Sequence, residues 1–347
     1  MTSQAPLIID SVSTIQFSPS SVVNAAGMSF MPGTSPGTVD FNNNIAIFFN
    51  GSGNNGVWFT TSPDGITWTP VNRAAGLPIA PGSSPSAMEV PWNQRLFLFA
   101  NSDGGISFVT TTDLAVWTAP AVLRDAGILG STSPSAVSFN GAIFIFYNGS
   151  GSNGLFGTVI TENNGDISSP ILPQIPSQPS SFLDIMEGTS PCAVVFGTQL
   201  YLFYISAGSS GLATGTTTPS NATSEYRVFA TFMSDNGLWS MPQQVGTTTT
   251  AGVSPTAVTA GPDPSSTMLY LFWPTDPSVT MAAFDGEKWE TLGTLVLNQN
   301  PGSSPSTLNL ANNTPPRNPY LFWTGPSSAF GGGLRAFFST FTPANPT

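Results

Sequence analysis

Short apolar bursts separated by polar turns run the length of the chain. Six stand out: "IAIFF" (45–49), "LFLFA" (96–100), "IFIFY" (143–147), "LYLFY" (200–204), "LYLFW" (269–273) and "PYLFW" (319–323). Each is about five residues long, too short for an ordinary helix and bounded by Gly, Asn, Ser or Pro, so each predicts a β-strand. A sheet with one solvated face alternates apolar and polar residues; these strands are apolar throughout, as burial on both faces requires.

Each burst sits in the same sequence of segments. A shorter strand precedes it ("GTVDF", "SAMEV", "SAVSF", "CAVVF", "TAVTA", "STLNL"), joined by a tight turn such as "NG" after Phe139. A polar loop follows ("NGSGNNG", "NSDGG", "NGSGSNG", "ISAGSSG", "PTDPS", "TGPSSAFGGG"), then a third strand. A turn then leads to a fourth strand, usually opening on tryptophan ("DGITWTP", "DLAVWTAP", "DNGLWSMP", "DGEKWETL"). Ser-Pro pairs start the units at Ser35, Ser84, Ser133, Ser190, Ser254 and Ser304, at intervals of 49, 49, 57, 64 and 50 residues.

Four short strands repeated about every 50 residues predict propeller blades. The expected fold is all-β: one six-bladed β-propeller over 1–347, with four antiparallel strands per blade. The units run about 34–81, 82–129, 130–187, 188–251, 252–301 and 302–347 plus 1–33. A long β-sandwich would not explain six similar units. The sixth unit has no tryptophan strand after "LRAFFSTFTPANPT". The missing piece is upstream: "FSPSSVVNAAGMSFMPGTSP" (17–36) parallels "WTPVNRAAGLPIAPGSSP" (68–85), with Phe17 in the place of Trp68. The N-terminal segment is therefore expected to supply the outer strand of the last blade and close the ring, leaving no open sheet edge. In the fourth unit, "ATGTTTPSNATSEYR" (213–227) reads as a polar surface excursion. The meander places the polar loops on the face of the Ser-Pro entries, and the turns before the tryptophans on the opposite face.

Composition narrows the function. Net charge is −11, with Lys288 the single lysine and six arginines, which argues against nucleic acid and anionic membrane as partners. No stretch reaches the ~18 apolar residues of a membrane span. "MTSQAPLIIDSVSTIQF" lacks a signal peptide's basic and apolar regions. Synthesis in the cytosol is expected, with release by a non-classical route left open. Sequons at Asn50, Asn148, Asn221 and Asn312 are then chance matches. Cys192 is the single cysteine, which rules out an internal disulfide. The absence of histidine excludes a Ser-His-Asp site and a histidine-ligated metal. No cofactor or metal is expected.

The segments "SPDGITW" (62–68), "TTDLAVW" (111–117), "SDNGLW" (234–239) and "FDGEKW" (284–289) resemble the Asp-box of sialidase-like propellers, one residue short of the usual motif. The whole repeat resembles the sialidase-like and lectin-like propeller repeats of bacteria and fungi. The resemblance implies that Asp64, Asp113, Asp235 and Asp285 are turn residues far from any site, and that sugars bind in pockets repeated around the ring. Trp68, Trp117, Trp239 and Trp289 read as packing between blades. Fucose-binding six-bladed lectins place an arginine and a glutamate in each site. Arg and Glu are too few and too irregular here for that pattern.

Three function classes remain. A sialidase needs an arginine triad, but Arg95 and Arg317 fall at turns of one face while Arg73, Arg124, Arg227 and Arg335 fall elsewhere. The six glutamates give no positioned carboxylate pair. The expectation is therefore a non-enzymatic multivalent lectin for neutral glycans or glycoconjugates. The alternatives are a sialidase-like glycoside hydrolase and a protein-interaction propeller. A sugar site needs amides, hydroxyls and an aromatic plane. The ends of the apolar bursts offer aromatics at Phe49, Tyr147, Tyr204, Trp273 and Trp323. The loops after them offer Asn50, Ser52, Asn54, Asn55, Asn101, Asp103, Asn148, Ser150 and Asn153. The competing reading is that the loops are ordinary hairpins and the aromatics fill space between blades. The sequence leaves the oligomeric state open, a homodimer included.

Overall fold

In a computed structural model the chain is built from β-strands, and no helix is found among the described residues. The structure describes residues 15–342 apart from 54–55, 124, 151–153, 162–167, 169–172, 174–176, 178–180, 215–225, 236, 249, 262–266, 277, 311–317 and 327–332.

Blade 1 is a four-stranded antiparallel meander of Gly37–Phe41, Asn44–Asn50, Val57–Ser62 and Asn72–Arg73. Blade 2 repeats it with Ser86–Val90, Arg95–Ser102, Gly105–Thr111 and Ala121–Leu123. Blades 3 to 6 begin with Ser135–Phe139, Cys192–Phe196, Thr256–Ala260 and Ser306–Leu308. These inner strands neighbour one another in order, and the sixth neighbours the first, so the ring is closed with six blades. The second strands are buried on both faces, as their continuous apolarity implies.

Closure uses the N-terminal segment. Gln16–Phe17 and Ser21–Val22 pair antiparallel with Leu334–Thr342, Phe17 opposite Phe341 and Val22 opposite Phe337. A hydroxyl staple fixes the equivalence with the other blades. In blades 1, 2 and 4 the residue after the tryptophan accepts a third-strand amide through its Oγ: Thr61 N–H to Thr69, Thr110 N–H to Thr118, and Phe232 N–H to Ser240; in blade 5 Glu290 stands at that place. In blade 6 the staple is Thr340 N–H to Ser18, the residue after Phe17. In blade 3, where no tryptophan remains, it is Val159 N–H to Ser168.

Cores lie between blades. Trp117 of blade 2 packs edge-on to Phe48 of blade 1 (6.2 Å), Trp239 on Phe146 (5.6 Å) and Trp289 on Phe203 (5.7 Å). Trp68 packs into the cluster shared by blades 1 and 6. A two-stranded ribbon that the repeat pattern does not predict pairs Ser181–Leu183 with Leu212–Thr214, at the start of the blade 4 excursion.

The Ser-Pro entries meet at the axis. Ser35 N–H donates to Ser84 Oγ (2.8 Å), Ser84 to Ser133 (2.8 Å), Ser133 to Ser190 (2.8 Å), Ser190 to Ser254 (2.8 Å), Ser254 to Ser304 (2.7 Å) and Ser304 back to Ser35 (2.8 Å). Six identical links, all in one sense, tie each blade to the next.

Candidate functional site

The loops expected to bind ligand do share the face of the Ser-Pro entries: Ser52 N–H donates to Ser29 O, and Ser150 N–H to Gly127 O. Their aromatics do not reach that surface. Phe49 is buried and stacked on Phe30 at 4.7 Å, and Tyr147 on Phe156 at 6.0 Å. Tyr204 is buried with its hydroxyl donating to Gly211 O (2.7 Å); Trp273 Nε1 donates to Thr247 O (3.0 Å); Trp323 stacks on Phe337 at 6.1 Å. All five fill space between blades, so the packing alternative describes them.

The asparagines expected beside them are also interior. Asn50 Nδ2 donates to Ala80 O (3.1 Å) and Ser83 O (3.0 Å). Asn101 does the same with Leu129 and Thr132, and Asn148 with Met186 and Thr189. Each clamps the crossover that enters the next blade. Ser52, Asp103 and Ser150 remain exposed. Ser52 Oγ lies 2.7 Å from Ser29 Oγ, and Asp103 (φ 59) with Gly104 (φ 90) forms the two-residue hairpin turn. Asn54, Asn55 and Asn153 lie outside the described residues.

The Asp-box aspartates behave as turn caps. Asp64 Oδ1 accepts the amides of Thr67 (2.7 Å) and Ile66 (2.8 Å), Asp113 Oδ1 those of Val116 and Ala115, and Asp285 Oδ1 those of Glu287 and Lys288. The amides of Thr67 and then Ile66 hold Asp64 down to about 2, and the same cause lowers Asp113 and Asp285. At Asp235 the turn is closed instead by Ser234, whose Oγ donates to Leu238 O (3.1 Å).

A groove of about 550 Å³ lies on the seam between blades 1 and 2, reaching the face opposite the Ser-Pro entries. Exposed Asn42, Thr69, Asn72, Arg73 and Asp113 line it, with half-buried Asn44, Thr61, Leu114 and Trp117. Each asparagine gives one N–H to a nearby carbonyl, Asn42 to Thr112, Asn44 to Asn42 and Asn72 to Pro70, which orients its amide plane. Arg73 lies over Trp58, 5.9 Å from the ring centre.

The groove has a cause in the repeat. Two residues before Phe48, Phe99, Phe146, Phe203, Phe272 and Phe322, the second strands carry Ala46, Phe97, Phe144, Tyr201, Tyr270 and Tyr320. Five blades place an aromatic ring there; blade 1 has alanine. On the blade 6 to blade 1 seam, Tyr320 presses against Gly65, where an added Cβ would sit 2.9 Å from the tyrosine hydroxyl. On the blade 1 to blade 2 seam both partners change: Ala46 replaces the ring, and Leu114 replaces the glycine. Leu114 keeps the left-handed backbone of that glycine (φ 62), costly for a γ-branched residue. Leucine recovers part of the lost ring volume, and the remainder is open groove. The signal was in the second column of the aligned bursts, where one A stands among F and Y.

No family model matches the chain, and no curated protein matches it. Solved structures share its fold. A mutant of AofleA from Arthrobotrys oligospora, with three arginines replaced by alanine, is 10% identical. It aligns with a TM-score of 0.59 over 96% of this chain and 95% of that one. An α-L-arabinofuranosidase of Fusarium graminearum, a point mutant with an iminosugar inhibitor, is 13% identical (TM-score 0.57; 88% and 92%). The NanB sialidase of Streptococcus pneumoniae is 10% identical (TM-score 0.57; 94% and 70%). The chain is thus similar in architecture to six-bladed propellers that include glycoside hydrolases.

Proposed function

We propose that the protein binds a neutral glycan in the groove between blades 1 and 2 and does not hydrolyse it. The observation that carries this reading is the Ala46–Leu114 exchange. It opens one seam and lines it with oriented asparagine amides, threonine hydroxyls, a carboxylate and a tryptophan edge. That set matches a sugar's hydroxyls and C–H faces, and the volume suits a small ligand. The fold shared with a sialidase and an arabinofuranosidase supports a carbohydrate ligand. Against hydrolysis, the groove is lined by one carboxylate, Asp113, which two amides hold ionised, whereas glycoside hydrolysis in most families takes two. This moves the glycan from the loop face expected from sequence to the flank.

The test is glycan-array binding and titration calorimetry on the wild type and the double variant Ala46→Tyr, Leu114→Gly. The variant rebuilds the blade 6 to blade 1 seam, so it is expected to fold and to lose glycan binding. Unchanged binding would place the glycan elsewhere. Turnover of aryl glycosides by the wild type, abolished in the variant, would make the groove an active site.

A further inference from the structure

Asparagine followed by glycine is reactive toward its own backbone. The glycine nitrogen can attack the asparagine Cγ, and glycine has no Cβ to obstruct the approach. Three such pairs lie wholly within the described residues: Asn50 with Gly51, Asn140 with Gly141, and Asn148 with Gly149. Four others include a residue outside the described ones.

Two of the three are locked. Asn50 and Asn148 are fully buried, and each Nδ2 gives two hydrogen bonds to the crossover that enters the next blade. The attacking nitrogens are engaged as well: Gly51 N–H donates to Gly56 O (3.2 Å) and Gly149 N–H to Gly154 O (2.9 Å). Attack at either pair requires three hydrogen bonds to break in the interior.

The third pair is open. Phe139 pairs with Ala142, so Asn140 and Gly141 make the turn between the first two strands of blade 3, with φ 48 and φ 74. Two positive values are those of the tight hairpin that favours Asn-Gly. Asn140 is exposed. Among the described residues, neither its carboxamide nor the Gly141 N–H makes a hydrogen bond. In blade 1 the same turn is Asn42 and Asn43, φ 52 and φ 59, and the Asn42 side chain is tied to Thr112 O. The turn backbone must swing to bring the Gly141 nitrogen onto Cγ, and at this tip the swing breaks no bond of either reacting group. Local opening of that kind is the least costly in a folded chain.

We propose that Asn140 is a site of spontaneous backbone modification, converting through a cyclic imide to an isoaspartyl or aspartyl residue. The Gly141 nitrogen loses its proton and bonds to Asn140 Cγ; the Cγ–Nδ2 bond breaks and ammonia leaves with that proton. Water then opens the five-membered imide at either carbonyl, and nothing is oxidised or reduced. The isoaspartyl product adds a methylene to the backbone of a two-residue turn, which loosens the pairing of Ser135–Phe139 with Ala142–Asn148. The turn is no part of the groove between blades 1 and 2.

The full chain would be kept folded in neutral buffer for several weeks, digested with chymotrypsin at intervals and mapped by mass spectrometry. Isoaspartyl groups would be labelled with protein isoaspartate methyltransferase. Conversion at Asn140 should exceed that at Asn50 and Asn148 by about a hundredfold, since three hydrogen bonds guard each of those and each bond is worth severalfold in an equilibrium. In urea the three rates should converge, because every pair is then open. Mildly alkaline buffer should speed the reaction, because the attacking nitrogen must lose its proton. Gly141→Asn rebuilds the blade 1 turn, so it is expected to fold, and its added Cβ should slow conversion at Asn140 severalfold. An Asn140 that converts in the folded chain no faster than Asn50 and Asn148 would overturn the proposal. So would a rate that Gly141→Asn leaves unchanged. Glycan binding should be the same in fresh and converted protein, so failure of this site leaves the groove standing, and failure of the groove leaves this site.

Discussion

Asn50, Asn101 and Asn148 show how a polar residue can look like a ligand contact and be something else. Each follows an apolar burst and opens a Gly-rich loop, a sequence context that also suits a binding loop. Their true partners are carbonyls 28 to 41 residues downstream, in a neighbouring blade, and nothing local records that distance. Asn50→Ala would take the Asn50 donor from the buried Ser83 carbonyl, while Ala80 O keeps the Ser83 hydroxyl, so unfolding in urea should show a loss of roughly 1–3 kcal/mol. Glycan binding should be unchanged in the same variant. The Asp-box aspartates make a second residue-scale prediction. Asp64 is held below its ordinary 3.8, at about 2, by hydrogen bonds present only in the folded turn. Its stabilising effect is complete above the ordinary value and disappears as pH falls toward 2. Calorimetric melting between pH 5 and pH 2 should show a steeper decline for wild type than for Asp64→Asn.

At the scale of the element, strands and their order were legible because every cue is local: Ser-Pro, a short strand, a turn, a burst, a loop, a tryptophan. The side of the strand on which each aromatic falls was not. Both faces of a second strand are buried, so period-2 alternation vanishes, and Phe49 and Phe48 look alike although they serve different seams. The hydroxyl staple was legible in principle, as the Thr or Ser after Trp68, Trp117 and Trp239, and it also identifies the outer segment of blade 3. Ser18→Ala should remove the staple of blade 6 and lower the melting temperature. The effect should exceed that of an exposed serine elsewhere, because this staple joins the two ends of the chain. Gly37 tests the inner strands: an added Cβ would meet Pro85 O at 2.4 Å, a backbone atom with little freedom. Gly37→Ala should destabilise by about 1–3 kcal/mol, measurable by chemical denaturation, through strain between blades 1 and 2.

The whole molecule is a ring held by two kinds of closure, the hydrogen-bonded serines at the axis and the shared sheet of blade 6 at the rim. Its six-fold count followed from the sequence because the repeats were complete and the odd half-unit at one end matched the half missing at the other. The place of the ligand groove did not follow, since it arises from a paired exchange, Ala46 with Leu114, between residues 68 positions apart that meet only across a seam. Blade 6 also sets the order in which the protein can be finished. Ser18 bonds to Ser339 and Thr340, more than three hundred residues later. On a ribosome adding about 5–20 residues per second, the first strand waits tens of seconds for its partner to emerge. Blades 1 to 5 can form during that time, each on its own local hairpins. The last blade can be completed only once Leu334–Thr342 has emerged, so the nascent chain carries an unpaired Gln16–Phe17 strand while blades 1 to 5 are being made.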